Sequence, residues 1–283
     1  MDSLQPDPIL QSQLRDPPWS SARGGRLPGT GPAAPDDWLR VDDAYAGQMA
    51  LRDRLMAARR DAVLGITTGA REATLELLDK ILELLDKRPD FTVGDSTVVR
   101  PDRVTVPLDR ADPLGTAARL VQQDLCLLQR RGDEHVLTAA ALCFPASWML
   151  AEKLNRPLTG IHDPVDSYDA DIARRVQRLF DGIRRDKPLW RANCLLYDDP
   201  ALFQPRSVHD RRTVPTRDAA YVRSERQCLV RLPKTDAILF SIHTTVVRRA
   251  GLDPAERAAL ATHLGHLPDE GAVSVAATCR DVR

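Results

Sequence analysis

Two segments of this chain carry residue types that could hold a metal-centred cofactor. Residues 160–165, with the sequence GIHDPV, place His162 close to a proline that restricts the backbone. Residues 223–233, with the sequence RSERQCLVRLP, thread three arginines and a glutamate through an apolar, strand-like run. A neutral imidazole is a common axial ligand of haem iron, and guanidinium groups pair well with carboxylates. The combination suggests an anionic cofactor such as haem, without being diagnostic of one.

The charged residues of the second segment alternate along the chain. An unbroken strand would direct Arg223, Glu225 and Arg231 to one face, and it would direct Arg226 to the other. Such a row is costly in a central strand unless each charge is paired. Carboxylates, including haem propionates, would satisfy the guanidinium groups bidentately. An internal network of arginine and glutamate that fixes the sheet is the competing interpretation.

Polar residues at two further places are candidates for a site. Arg191 and Asn193 follow Trp190 and lead into an apolar run. Asp124 follows two glutamines just before a predicted strand. A carboxylate at that position would either hold an amine substrate or cap a turn, and capping is the more frequent role of aspartate.

The histidines leave alternatives open. His135 falls in a predicted turn and His243 in a predicted strand, and neither has a partner at metal-ligand spacing. His263 and His266 are three residues apart on the last predicted helix, but no third ligand is evident. A satisfied structural histidine is also the commoner interpretation of His162 when only the residues are considered.

Composition restricts the class of protein. The chain has 283 residues, 43% of them hydrophobic, which is enough for one large domain or two modest ones. Its 40 basic and 40 acidic residues cancel, which argues against a general nucleic-acid binder. Residues 206–231 nevertheless contain seven arginines against three acidic residues. A solvated loop and an anion-binding patch are equally compatible with this local excess.

The cysteines and the N-terminus indicate a cytoplasmic protein. No two cysteines have CxxC spacing, so neither a zinc site nor an iron–sulfur cluster is expected, and most lie in apolar runs as reduced thiols do. The N-terminus lacks the apolar region of a signal peptide, and no run approaches the ~20 apolar residues of a membrane span. The cysteines are Cys126, Cys143, Cys194, Cys228 and Cys279.

The chain divides into three parts by pattern. Residues 1–36 contain seven prolines and four glycines, which predicts a mobile or surface-wrapped arm that Trp19 could pin to the body. Residues 37–267 are predicted to form the folded domain, with order beginning near Trp38. Residues 268–283 form a tail with little signal.

Hydrophobic periodicity predicts an α+β fold with an antiparallel sheet. Helices are predicted over 43–62, 70–88, 114–124, 146–154, 169–185 and 255–267. Short strands are predicted within 97–107, and two hairpin-like pairs join 125–129 with 136–144 and 228–232 with 237–247. This order differs from the alternation of βαβ units. The sequence also lacks GxGxxG, P-loop, GxSxG and HExxH motifs.

Five segments, taken in order, resemble the haem-dependent oxidative N-demethylase family, specifically its haem-binding α subunit. The resemblance runs from about Trp38 to Val247, and the ordered set is more specific than any one member. The segments are VDDAYAGQMALRDRL (41–55), VQQDLCLL (121–128), FPASWMLAEKLNRPLTGIHDPV (144–165), RAN (191–193) and VRSERQCLVRLPKTDAILFSIHT (222–244).

The resemblance implies a PAS-like antiparallel sheet with flanking helices that binds haem b. It implies oxidative removal of a methyl group from a small secondary amine such as dimethylamine, with O2 consumed and formaldehyde released. Electrons would come from a partner flavin and iron–sulfur reductase that uses NADPH. A non-catalytic haem-binding sensor or carrier is one alternative, since a fold does not fix a function. A haem-free scaffold protein is another.

The resemblance also implies roles for the candidate residues. His162 would ligate the iron, while Arg226 and Arg231 would pair with propionates or support the pocket. Asp124 or Glu225 would neutralise the amine.

Arg191, Asn193 and Arg223 complete the cofactor-binding set that the resemblance implies. The chain departs from the family pattern at Cys194, because a tryptophan is expected after Arg-x-Asn. If that tryptophan lines the pocket, this chain has a smaller wall there.

Overall fold

The computed structural model describes residues 7–20, 29–162, 170–210 and 218–265, without the side chains of Ser20, His162 and residues 170–173. Within these ranges the chain forms a seven-stranded sheet, a three-stranded sheet and eight α-helices. The strands are β1 (Gly31–Pro32), β2 (Leu64–Ile66), β3 (Thr92–Val93), β4 (Thr97–Val99), β5 (Thr105–Pro107), β6 (Asp124–Arg131), β7 (Glu134–Ala141), β8 (Leu189–Tyr197), β9 (Tyr221–Arg231) and β10 (Ile238–Arg248).

All neighbouring strands are antiparallel. The large sheet has the order β1-β8-β9-β10-β6-β7-β2, and the small one the order β3-β4-β5. The helices are α1 (Tyr45–Ala58), α2 (Arg60–Val63), α3 (Arg71–Leu85), α4 (Pro113–Ala118), α5 (Leu150–Lys153), α6 (Leu158–His162), α7 (Ala170–Gly182) and α8 (Pro254–Gly265). The predicted α+β class with an antiparallel sheet is confirmed.

Both predicted strand pairs are present, and the second is longer than predicted. Strands β6 and β7 pair from Leu125 with Ala141 to Arg131 with Glu134, which places His135 in a strand rather than a turn. Strands β9 and β10 pair over eleven positions, from Arg231 with Ile238 to Tyr221 with Arg248.

Two predicted helices are only about half as long in the structure. The helix predicted over 146–154 is reduced to α5, because Ser147 has a φ of 66° that a right-handed helix cannot contain. The helix predicted over 114–124 ends at Ala118, where α4 stops. The segment after it enters β6 at Asp124, so the strand begins inside the predicted helix.

The large sheet has two covered faces. The front face, which carries Glu225, packs against α5, α6 and α7, and the back face, which carries Arg226, packs against α1, α3 and α4. Alternation along β9 puts consecutive side chains on opposite faces. The front cluster includes Cys126, Leu128, Ala140, Leu150, Leu158, Phe180, Ile183, Leu229 and Ile238.

The back face holds the larger core. Helix α3 buries Leu77, Leu78, Ile81 and Leu85 completely, as the apolar stripe in its sequence predicts. Truncating one such leucine to alanine costs roughly 2–5 kcal/mol of stability. The back face is therefore the main source of apolar burial on folding.

Residues 7–20 form an N-terminal strap on this back face. The backbone N–H of Gln11 donates to the carbonyl of Val246 at 2.9 Å, and its side-chain oxygen accepts from the N–H of Val246 at 2.8 Å. Trp19 lies with its ring centroid 5.5 Å from that of His263. These residues of the predicted N-terminal arm are packed on the body of the protein.

Candidate functional site

Four polar side chains meet on the front face where β8 and β9 run side by side. The register pairs Arg191 with Gln227 and Asn193 with Glu225, so alternate positions of both strands share this face. Nε of Arg191 donates to Oε1 of Gln227 at 2.9 Å, and Nε2 of Gln227 donates to Oε2 of Glu225 at 3.0 Å. We call these four residues the front polar row.

The carboxylate of Glu225 is held from several directions. Nδ2 of Asn193 donates to Oε2 at 3.2 Å, and Oδ1 of Asn193 accepts from the backbone N–H of Glu225 at 2.9 Å. The other carboxylate oxygen, Oε1, lies 3.7 Å from Nη2 of Arg223. Amide donors fix Oε2, so the orientation of the carboxylate is set before any ligand arrives.

Arg223 connects the front polar row to the protein interior. Its side chain is 2% exposed, and its Nη2 donates to the carbonyl of Phe144 at 2.6 Å. Its Nη1 donates to the carbonyl of Leu202 at 3.2 Å. The guanidinium therefore clamps two loop carbonyls together, besides facing Glu225.

Arg226 lies on the back face, as strand alternation predicts, away from the front polar row. Its Nη2 is 2.6 Å from Oδ2 of Asp37, and its guanidinium carbon is 4.9 Å from the centre of the Trp190 ring. Its Nε lies 3.3 Å from Oδ2 of Asp16 in the N-terminal strap. Arg226 is therefore paired with two aspartates and packed against an aromatic ring.

Arg231 caps the end of α7. Its Nε donates to the carbonyl of Ile183 at 2.6 Å, and its Nη2 donates to the carbonyl of Phe180 at 2.8 Å. Cations at a helix C-terminus satisfy carbonyls that lack partners within the helix. For Arg223, Arg226 and Arg231 the geometry matches the internal network considered for the sequence, rather than three arginines gathered around one ligand.

Asp124 is buried at the start of β6, outside the front polar row. Its Oδ1 is 3.0 Å from Nη2 of Arg52 and accepts from the N–H of Cys143 at 2.8 Å. Its Oδ2 accepts from the N–H of Phe144 at 2.9 Å. Both oxygens are engaged and the side chain is 1% exposed, so this carboxylate joins the chain after β7 to α1.

His162 is the last residue of α6, where the sequence predicted a loop. Leu158 and Ile161 of the same helical turn pack into the front cluster. The backbone of His162 consequently belongs to an element on the same side of the sheet as Glu225. Pro164, the proline predicted to restrict the backbone here, lies outside the described residues.

Lys153, which the sequence did not single out, lies directly beside α6. Its Nζ donates to the carbonyl of Ile161 at 3.3 Å and lies 5.3 Å from the centre of the Trp148 ring. Burial lowers the pKa of this lysine below its ordinary value. The signal available in the sequence was its place nine residues before His162, but helix lysines usually extend into solvent.

Cys194 does not line the front face. Its side chain is 1% exposed on the back side, in a cluster that includes Leu14, Val222 and Val247. The departure from the expected tryptophan therefore changes packing beneath the N-terminal strap, not the wall of the front polar row.

The described cysteines are all free and buried. Burial raises the pKa of the Cys143 thiol to about 12 and that of Cys228 to about 11. Burial also raises the pKa values of Cys126 and Cys194. Such thiols are protonated at neutral pH and are poor nucleophiles and poor metal ligands.

Apolar and charged residues meet at the border of the front cluster. Partly buried Trp148, Ile161, Leu189 and Phe240 pack against the cluster, with Lys153 beside the Trp148 ring and Arg191 two positions after Leu189 in β8. Ligand sites of this kind are mostly apolar with a few fixed polar groups. Fold and site together define an α+β protein with a large antiparallel sheet that carries a hydrogen-bonded polar row on one face.

A family model described as haem-dependent oxidative N-demethylase, alpha subunit-like, matches residues 29–274. The match spans most of the 283 residues, and the chain belongs to this family. The family name implies dependence on haem and an oxidative activity, and it confirms the resemblance found in the sequence.

The described residues are compatible with haem. Nowhere in the described ranges do three His, Cys, Asp or Glu side chains gather as they would around a bare metal ion. Haem iron, by contrast, needs as little as one protein ligand, and its ring needs an apolar surface. Partly buried apolar side chains at the border of the front cluster, Trp148 and Phe240 among them, lie on the face to which α6 brings the backbone of one histidine. Lys153 and Arg191 supply cations on the same side. Of the helices described, none is long and apolar enough to cross a bilayer.

Proposed function

We propose that this protein removes a methyl group oxidatively from a small secondary amine resembling dimethylamine. The balanced reaction takes the amine, O2, two electrons and two protons to the primary amine, formaldehyde and water. Bound haem b would supply the activation of O2, which no amino-acid side chain can provide. The protein's own residues would bind the amine, orient it and set the polarity of the pocket.

The observation that carries this proposal is the held carboxylate of Glu225. A small secondary amine is a cation at neutral pH, and a fixed carboxylate would both attract and orient it. Asn193 and Gln227 donate to Oε2, which leaves Oε1 as the oxygen that can turn toward a ligand. Nη2 of Arg223 lies 3.7 Å from Oε1 on the same face of the sheet.

The remaining site roles follow from position. His162 is proposed as the protein ligand to the iron, with Arg191 and Asn193 beside the pocket. Arg223 is proposed as a support for Glu225, and Asp124 as a structural carboxylate, since its oxygens are used within the fold.

Arg226 and Arg231 are proposed to support the pocket rather than to contact the cofactor. Arg226 fixes the back of β9 against Asp37, and Arg231 fixes the end of α7 on the front. Their contribution would be to the rigidity of the sheet that presents Glu225.

Electron supply belongs to the same proposal. The described cysteines are buried at separate positions and do not form the ligand set of an iron–sulfur cluster. We therefore propose that the electrons come from a separate protein. A flavin and iron–sulfur reductase that uses NADPH fits this requirement. A cytoplasmic location and a PAS-like fold of the sheet and its flanking helices complete the proposal.

The test is formaldehyde release by the haem-loaded protein. The purified chain would be given haem, dimethylamine, O2 and a surrogate electron donor, and formaldehyde and methylamine would be quantified together. Equal amounts of both products support the proposal. Stable haem binding without formaldehyde from any small secondary amine would favour a sensor or carrier, and failure to bind haem would favour a scaffold.

A further inference from the structure

We propose that Lys153 anchors a carboxylate of the ligand held on the front face. If the proposed function is right, that carboxylate is a haem propionate. The inference rests on the proposed function for the identity of the ligand, but it rests on the geometry of Lys153 for the anion site itself.

The position of Lys153 is the first argument. Its ammonium is half-buried at the end of α5, and it lies between the Trp148 ring and the carbonyl of Ile161. Ile161 immediately precedes His162 in α6. A cation is thereby fixed next to the residue proposed to bind the iron, on the border of the front cluster.

The charge of Lys153 is the second argument. Among the described residues no carboxylate comes within ion-pair distance of its Nζ, whereas the buried Arg52 and Arg100 each have an aspartate within 3.0 Å. The charge of Glu152, the nearest acidic neighbour in sequence, acts to raise the pKa of Lys153, but its two carboxylate oxygens accept from the hydroxyl of Ser207 at 2.7 Å and from the N–H of Val208 at 3.1 Å.

A half-buried ammonium is costly when its described partners are a carbonyl, an aromatic face and the charge of Glu152 beyond ion-pair distance. The lowered pKa of Lys153 expresses the same cost, since burial disfavours its charged form. An arriving carboxylate would offset that cost and gain a charge-assisted hydrogen bond. The three arginines first considered for this role are held by aspartates, glutamate or helix-end carbonyls, so Lys153 is the better candidate.

The experiment compares two porphyrins that differ only in their carboxylates. Haem and its dimethyl ester would be titrated into the cofactor-free protein in the same detergent, with the Soret absorbance giving each Kd. The variants are Lys153→Met, Lys153→Arg and, as a matched control, Lys87→Met at an exposed position just after α3. Thermal melts of each cofactor-free variant would verify that it is folded.

Lys153→Met is expected to weaken haem binding by about tenfold or more, the value of one hydrogen bond to a charged group. The affinity for the dimethyl ester should stay within a factor of about two, because the ester lacks the anion that Lys153 would hold. Lys153→Arg should restore most of the haem affinity, and Lys87→Met should change neither.

An equal loss for both porphyrins, or no loss for either, would overturn the assignment of Lys153. Failure of the wild-type protein to bind either porphyrin would overturn it as well. The experiment measures a ratio of affinities and not turnover, so its outcome does not depend on whether the protein is a demethylase. If the protein shows the expected ratio of affinities but releases no formaldehyde, the anion site at Lys153 is supported and the proposed demethylase activity is contradicted.

Discussion

Asn193 and Glu225 face each other across β8 and β9 and are joined by two hydrogen bonds. The Asn193 amide donates to Oε2 of Glu225 at 3.2 Å, and its carbonyl oxygen accepts from the backbone N–H of Glu225 at 2.9 Å. One side chain thus fixes both the backbone and the carboxylate of its partner. The pair lies at the centre of the front polar row, so the pairing of β8 with β9 fixes the position of the carboxylate in the proposed amine site.

Replacing Glu225 by glutamine should impair amine binding while sparing the cofactor. The amide keeps the shape of the side chain but removes the charge that would hold a cationic amine, so KM should rise by about tenfold or more. Haem content should be unchanged. Steady-state kinetics with dimethylamine and the absorbance of bound haem provide the two readouts.

The exposed Glu83→Gln on α3 is the matched control, and it should leave KM unaltered. An unchanged KM in Glu225→Gln would remove this carboxylate from the amine site.

Replacing Gln227 by leucine should loosen the carboxylate of Glu225 without deleting it. Gln227 is 4% exposed, and it links Arg191 to Glu225 through two hydrogen bonds. Leaving those partners unsatisfied should cost about 1–3 kcal/mol in the free energy of unfolding. KM for the amine should also rise, by less than in Glu225→Gln. Urea denaturation and kinetics at a permissive temperature would test this, and a full loss of turnover at unchanged KM would speak against a positioning role.

Replacing Asp124 by asparagine should affect stability rather than amine binding. Arg52 is fully buried against this carboxylate, and breaking a buried pair costs about 3–5 kcal/mol. Chemical denaturation would measure the loss. Where the variant remains folded, KM for the amine should match the wild type. A stable variant with a raised KM would return Asp124 to the list of amine-binding candidates.

The contact between Asp42 and His243 should make stability depend on acid pH. Burial opposes ionisation of Asp42, but hydrogen bonds and charge from His243 prevail, helped by Gln122 and Gln11, and lower its pKa from 3.8 to about 2. Because the pKa of Asp42 is lower in the folded state than in the unfolded state, its ionised form stabilises the fold at pH values above the unfolded-state pKa. This stabilisation is lost as pH falls from about 4 to about 2. Its full size is about 2 kcal/mol.

Denaturation of the wild type and of Asp42→Asn between pH 6 and pH 2 would test this linkage. The gap in unfolding free energy between the two proteins should be widest above about pH 4 and should narrow toward pH 2. If the difference in unfolding free energy stays constant over this range, ionisation of Asp42 does not stabilise the folded protein.

The sequence predicted those parts of the fold that depend on local pattern. The stripe of leucines in α3 and the hairpin of β9 and β10 follow from helical and strand periodicity, and both are present. Alternation along β9 also separated Arg226 from Arg223 and Glu225 correctly. These features need only the spacing of apolar and charged residues along one segment.

Features that depend on distant partners escaped prediction. Strand β8 carries Arg191 and Asn193 among apolar residues, so its pattern is not that of a strand buried on both faces. The roles of Gln227 and Lys153 are set by which side chains the sheet and α6 bring beside them. The buried position of Asp124 likewise depends on Arg52, seventy-two residues earlier in the chain.

The most direct test of the account is the visible absorption spectrum of the purified protein and of its His162→Ala variant, each supplied with haem, then reduced and exposed to carbon monoxide. The wild type is expected to show a Soret band that shifts on reduction and again with carbon monoxide, and the variant is expected to lose haem or to retain it much more weakly. A wild-type protein that takes up no haem would contradict the proposed function. A variant with unchanged haem content and spectrum would contradict the assignment of His162 as the iron ligand.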